Sequence, residues 1–255
     1  MELPQAPRGS GLHPVTLVVI SANQLAASST FYSSVFGWQM MKMSAELMAA
    51  GATAGPAIAL RAKVPEGFPG VVPYIGVSDV DAMMNRVVAG GATLERASWK
   101  IPMMGTLARF ADVSGTIYGL TNAISPTGSP HVPMPFGTNP KPPVNSICSL
   151  EMYAKDDASP QFFAQLFGWG TLPTMPAYVA FDAGAGIGGV FQSHTPALPA
   201  VAYIYVVDVA ATLVTIEAAG GKRLGDAMSM PGMGTFGYFT DPSSTTMALI
   251  GPPLT

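Results

Sequence analysis

The phrase FYSSVFGW at residues 31–38 recurs almost unchanged as FFAQLFGW at 162–169. Set in register, the likeness continues in the same order through most of each half. YIGVSDVDAMMNRVVAGGATL (74–94) answers to YIYVVDVAATLVTIEAAGGKRL (203–224), and GTLARFADVSGT (105–116) to GTFGYFTDPSST (234–245). The aromatic phrase repeats after 131 residues and the aspartate of the last block after 129, so only small insertions separate two copies of one module. Whatever the first half folds into, the second must fold into as well.

Between the copies lies SPTGSPHVPMPFGTNPKPPVN, residues 125–145, whose seven prolines suit an extended connector and exclude a helix or central strand. The chain therefore divides into an N-terminal extension (1–13), a first module (14–124), the connector (125–145) and a second module (146–255). Each module reads as a strand (PVTLVVIS, SICSLEMYA), a helix (LAASSTFYSSVF, DASPQFFAQLF) and two short strands. A further strand (VVPYIGV, AVAYIYVV), a second helix closed by Gly-Gly and a final hairpin complete it. Ala27, Phe31, Tyr32 and Val35 fall at helical spacing, as do Ala158, Phe162, Phe163 and Leu166, so the aromatics form a buried face and Gly-Trp stops the helix.

Composition narrows the function. Hydrophobic residues make up 49% of the chain and charged residues 11%, with a net charge of -3 and no run of Lys or Arg, so nucleic acid and anionic membrane surfaces are not expected partners. Cys148 is the one cysteine, which excludes an internal disulfide; no apolar run has the length of a membrane span, and MELPQAPRGSGLHP lacks the apolar stretch of a signal peptide. The expected location is the cytoplasm. GAGIGG (184–189) matches a dinucleotide-binding pattern formally, but Pro196 and Pro199 forbid the helix that pattern needs, and it reads as a hairpin turn.

The helix end FY…FGW, the VSDVDA…GG and VVDVAA…GG segments, and DVSG and DPSS before the closing strands together resemble the vicinal oxygen chelate superfamily, which includes glyoxalases, bleomycin-resistance proteins and extradiol dioxygenases. The resemblance spans nearly all of residues 14–251. It implies an α+β fold of two tandem βαβββ-type modules, four-stranded curled mixed sheets with helices outside, forming a cup-like barrel around a small ligand. Relatives often pair, so a homodimer is among the expectations.

Chelating relatives place a metal ligand on the first strand, roughly 14 residues ahead of the helix aromatic, and a Glu on the closing strand. Here the first-strand positions are Leu17 and Cys148, or Thr16 and Ser149 if the register slips by one; the closing-strand positions are Gly119 and Ala248. None is His, Asp or Glu. The three histidines, His13, His131 and His194, fall before a strand, in the connector and in a loop, without metal-site spacing. Neither a metal nor any other cofactor is expected.

Within SLEMYAKD, Glu151 and Tyr153 share a strand face with Ser149. In the slipped register they point into the second cup, where Glu151 would be a general acid or base and Tyr153 its partner; in the other register Glu151 points away. Tyr74, Tyr203 and Tyr205 lie on the middle strands, as core or pocket, and Arg109 is read as a solvated hairpin residue. Met103 and Met104 in IPMMG, and Met230 and Met233 in SMPGMG, precede the closing hairpins and suit an adaptable apolar lid. Two functions fit: a metal-independent binding protein that holds a small apolar or aromatic molecule in a Met/Tyr-lined cup, of the sequestration or resistance type, or a metal-independent isomerase, lyase or cyclase using Glu151.

Overall fold

A computed structural model describes residues 6–51, 55–102, 105–123 and 141–253. The first half contains β1 (Val15–Ser21), α1 (Leu25–Phe36), β2 (Met41–Lys42), β3 (Leu47–Ala50), β4 (Ala57–Arg61), β5 (Val71–Gly76), α2 (Val80–Ala89), β6 (Thr93–Ile101), β7 (Gly105–Ala111) and β8 (Ile117–Thr121). The second contains β9 (Ile147–Tyr153), α3 (Ala158–Phe167), β10 (Gly170–Met175), β11 (Tyr178–Asp182), β12 (Gly188–Gln192) and β13 (Ala200–Tyr205). It closes with α4 (Val209–Ala218), β14 (Lys222–Arg223), β15 (Met228–Met230), β16 (Gly234–Thr240) and β17 (Thr246–Gly251). Each half forms one mixed sheet, ordered β2-β3-β4-β1-β5-β8-β7-β6 and β10-β11-β12-β9-β13-β17-β16-β14, with β15 paired to β16.

The α+β class and the two curled sheets are as expected. Each sheet is larger than four strands, because the second helix opens another βαβββ unit instead of decorating the first. β1 pairs antiparallel with β5, and β5 parallel with β8, so the two units of each half join through their first strands.

The repeated aromatic phrase explains its own form. Gly37 (φ 71°) and Gly168 (φ 68°) end α1 and α3 in the left-handed conformation, which glycine adopts without steric cost. The chain then folds back, and Trp38 stacks on Tyr32 with ring centroids 4.9 Å apart, as Trp169 does on Phe163 at 4.8 Å. Asp79 and Asp208 begin α2 and α4 by accepting from the amides of Ala82 and Ala211. GAGIGG is a turn leading into β12, not a helix start.

The halves grip each other by a reciprocal clasp built from the DVSG and DPSS turns. Ser114 Oγ lies 2.7 Å from Ser159 Oγ on α3, and Thr116 Oγ1 donates to the Tyr153 carbonyl at 3.0 Å. In mirror roles, Ser243 Oγ lies 2.9 Å from Ser28 Oγ on α1, and Thr245 Oγ1 donates to the Ser21 carbonyl at 2.6 Å. Trp38 Nε1 donates to the carbonyl of Asn145, ahead of the second half, while Trp169 Nε1 donates to that of His13, ahead of the first. The N-terminal extension therefore lies along the opposite half: the Ser10 amide bonds Gly168 and the Arg8 guanidinium bonds Gly184. Of the Pro-rich connector, residues 125–140 lie outside the described part. No helix among the described residues is long and apolar enough to cross a membrane.

Candidate functional site

The centre of each cup is set by strand register. Val15 pairs with Ile75 but Leu17 with Tyr74, so Thr16 is an extra, bulged residue; Ile147 pairs with Ile204 and Ser149 with Tyr203, so Cys148 is its counterpart. Across the first sheet one row reads Ala57, Leu17, Tyr74, Gly119, Arg109, Arg96. Across the second it reads Gly188, Ser149, Tyr203, Ala248, Tyr238. Leu17 therefore matches Ser149, a combination of the two registers read from sequence. The link from first strand to helix is one residue shorter in the second copy, so an equal count back reaches the row in one half and the bulge in the other. Cys148 joins the main core with Leu150 and Met152, and burial pushes its thiol well above its ordinary value. It does not face the cup.

These rows do not offer a metal its usual donors. Leu17, Tyr74 and Gly119 in one, and Ser149, Tyr203 and Ala248 in the other, supply no imidazole or carboxylate. At Gly119 the space itself is taken: a Cβ there would lie 2.0 Å from the Tyr74 ring. Among the described residues no group of three or more His, Cys, Asp or Glu could hold a metal ion.

The second cup is built around a half-buried carboxylate. Glu151 is flanked across the strands by Val190 and Val201. The Tyr203 hydroxyl donates to Glu151 Oε2 at 2.7 Å, and the Tyr238 hydroxyl lies 2.7 Å from that of Tyr203. Because the single Tyr203 proton serves the carboxylate, Tyr238 donates to Tyr203, giving a chain from Tyr238 through Tyr203 to Glu151. Burial first, then the Glu151 charge, raises the phenol of Tyr203 well above its ordinary range and that of Tyr178 to about 12. The Tyr178 hydroxyl lies 3.2 Å from His194 Nε2. The Phe236 ring meets Tyr203 edge-on at 6.2 Å, supplying an apolar wall. Among the described residues, Glu151 Oε1 receives no hydrogen bond, and it remains available to an incoming group.

The partner of Glu151 is therefore Tyr203, not Tyr153. Tyr153 is half-buried two residues along β9, about 6.6 Å away by strand rise, whereas an aromatic side chain on the adjoining strand reaches diagonally. Tyr205 is buried at the end of β13, its amide bonded to the Ser146 carbonyl. Met230 is exposed, and Met233 packs partly buried on the core; Met103 and Met104, like His131, lie outside the described residues.

The first cup has a different chemistry. Leu17, Val19, Ala59, Val72, Tyr74 and Leu107 pack into a separate apolar cluster. Over it lies Arg109, only 5% exposed and not the solvated residue read from sequence. Its Nε and Nη2 donate to the two Glu95 oxygens at 2.6 and 3.3 Å, and the guanidinium lies 4.7 Å from the Phe68 ring centre and 5.5 Å from that of Trp99. Arg109 occupies the row position of Tyr238. The aligned repeats, GTLARF against GTFGYF, carried that signal.

No family model matches the chain. A curated protein of Mycobacterium tuberculosis named "Putative glyoxylase CFP32" is 27% identical over 252 residues, covering 92% of this chain and 93% of that one. Among solved structures, the 2,3-dioxygenase LapB of Pseudomonas sp. KL28 superposes with a TM-score of 0.66 at 11% identity, covering 99% of this chain and 94% of the other. A Mn(II)-bound glyoxalase of Novosphingobium aromaticivorans gives 0.63 at 13%, covering 97% and 84%.

Proposed function

We propose, from the vicinal oxygen chelate fold that this chain shares with those structures, that the protein binds a small apolar or aromatic molecule in its second cup without a chelated metal. The observation that carries this reading is the tyrosine cluster at the second cup: Tyr203 and Tyr238, with the Phe236 ring against Tyr203, are joined by hydrogen bonds to one half-buried carboxylate, while the row beneath offers Ser149 and Ala248 where chelating relatives need metal donors. Aromatic walls supply contact area at little entropic cost, and Glu151 with its bound hydroxyl fixes the orientation of a polar edge. The glyoxylase name belongs to the mycobacterial relative; the metal donors that such chemistry draws on in this superfamily are missing from both rows.

The Glu151 geometry supports a second reading, proton transfer on the bound molecule. Glu151 Oε1 would take a proton from a carbon or hydroxyl acid. Tyr203, held by Tyr238, would keep its proton on Oε2 and steady the carboxylate, and Glu151 would return the proton it took to a neighbouring atom of the molecule or to its leaving group. An isomerisation or elimination needs no more than these two roles.

Glu151→Gln and Tyr203→Phe test both. In a thermal-shift and calorimetry screen of phenols and aromatic ketones, a ligand of the wild-type protein is expected to lose about 5- to 30-fold in affinity with either variant, the worth of one charge-assisted hydrogen bond. Mass analysis of the same mixtures reports turnover. Product formed by wild type and abolished in Glu151→Gln supports the enzyme; an unaltered compound supports sequestration. Equal affinity in all three proteins removes Glu151 from the site.

A further inference from the structure

The two cups carry opposite charge. In the second, the cluster centres on Glu151. In the first, Arg61, Arg96 and Arg109 converge, half of the six arginines in the chain, and Arg109–Glu95 is the one ion pair among these groups in the described residues. The three cations answer to a single carboxylate. Burial first, then repulsion from Arg109 and Arg96 against the opposing pull of Tyr74 and Glu95, lowers the Arg61 guanidinium from its ordinary value. An excess of charge that costs stability in the free protein is relieved by a bound anion.

The same cluster is laid out for flat molecules. The Arg96 guanidinium lies 4.0 Å above the Trp99 ring, Arg61 lies 5.8 Å and Arg109 4.7 Å from Phe68, so Trp99 and Phe68 alternate with the guanidiniums around the mouth. Below them Tyr74 and Leu107 form an apolar floor on which Phe68 and Trp99 pack. Arg61 is half-buried and Arg96 exposed, and neither has an ion-pair partner among the described residues. Guanidinium forks match carboxylate oxygens in pairs, and stacked aromatic planes hold a ring beside them.

We infer that the mouth of the first cup is a second ligand site, for an aromatic carboxylate, with Arg61 and Arg96 binding the carboxylate and Trp99 and Phe68 holding the ring. This goes beyond the site around Glu151, whose charge would repel such a ligand. Arg109, paired to Glu95, shapes the site and keeps Arg61 and Arg96 turned to its rim.

The test is calorimetric titration of the intact protein with 2-naphthoate, 2-naphthamide and inorganic phosphate. Naphthoate is expected to bind at least about tenfold more tightly than the amide, and to weaken as salt is added. Arg61→Gln and Arg96→Gln, both at partly or fully exposed positions, should each weaken it about 3- to 10-fold, while Lys222→Gln, an exposed charge change in the second half, should not. Equal binding of acid and amide overturns the inference, as do unchanged affinities in both arginine variants or no binding of naphthoate at all. Phosphate that competes as well as naphthoate overturns the aromatic half of the assignment.

Discussion

Gly119→Ala is expected to lower stability by about 2–3 kcal/mol, a drop of roughly 4–12 °C in melting temperature for a chain of this size. The added methyl would sit 2.0 Å from the Tyr74 Cδ1 and 2.2 Å from its Cε1, and that ring is buried on the floor of the first cup with Leu17 and Leu107 beside it. A buried ring against a sheet cannot yield by rotation alone. Tyr74→Leu in the same chain should remove the clash, so the double variant is expected to be more stable than the sum of the single effects predicts. Additive effects would mean that the ring does not occupy this space. The consequence reaches function: Gly119→Glu, the substitution that restores a closing-strand carboxylate, is expected to unfold the cup before it creates a metal site.

The second large effect is a pH dependence lodged in the clasp. Burial, offset in part by the nearby Ser159 hydroxyl and by hydrogen bonds from the backbone of Thr116 and Ser114, raises the Asp112 carboxyl from 3.8 to about 6. Asp241 in the other clasp is raised as well, again by burial first and against hydrogen bonds from Thr245 and Ser28. A carboxyl raised on folding binds its proton more tightly in the native state, so its stabilising share is complete below the unfolded value and is lost as pH rises through the native one. For Asp112 that amounts to about 3 kcal/mol between roughly pH 4 and pH 6. The protein should accordingly melt higher near pH 5 than near pH 7.5. Asp112→Asn keeps an oxygen for the Ser114 and Thr116 amides, which bond Oδ1 at 3.0 and 2.9 Å, and carries no charge to desolvate. The variant should flatten the melting-temperature profile over this range, more so with Asp241→Asn added; an unchanged profile would place the pH response elsewhere.

How far the sequence could be read follows from which interactions are local. The aromatic helix ends and the Gly-Gly stops are set by neighbours three or four residues apart, and each lies where its pattern put it. The row at the cup centre depends instead on a bulge at Thr16 and Cys148, and a bulge leaves no period in the sequence. That one residue decided whether Glu151 faced the cup. Its partner Tyr203 comes from a strand fifty-two positions away, and the burial of Arg109 follows from Glu95, Phe68 and Trp99 closing over it, three contacts made only by the folded sheet. DVSG and DPSS were legible as turns; that each would clasp the other half was not, because nothing local distinguishes a hydroxyl aimed at its own loop from one aimed at a helix 45 residues away.

The central claim is that the second cup recognises its ligand through Glu151 and Tyr203 and not through a metal. The most direct measurement is calorimetry of the best ligand from the screen, run before and after exhaustive chelation, with elemental analysis of both samples. The predicted result is unchanged affinity after chelation together with about 5- to 30-fold loss in Tyr203→Phe. Stoichiometric zinc, manganese, nickel or iron in the purified protein, with binding that disappears on chelation and returns with the metal, would contradict it.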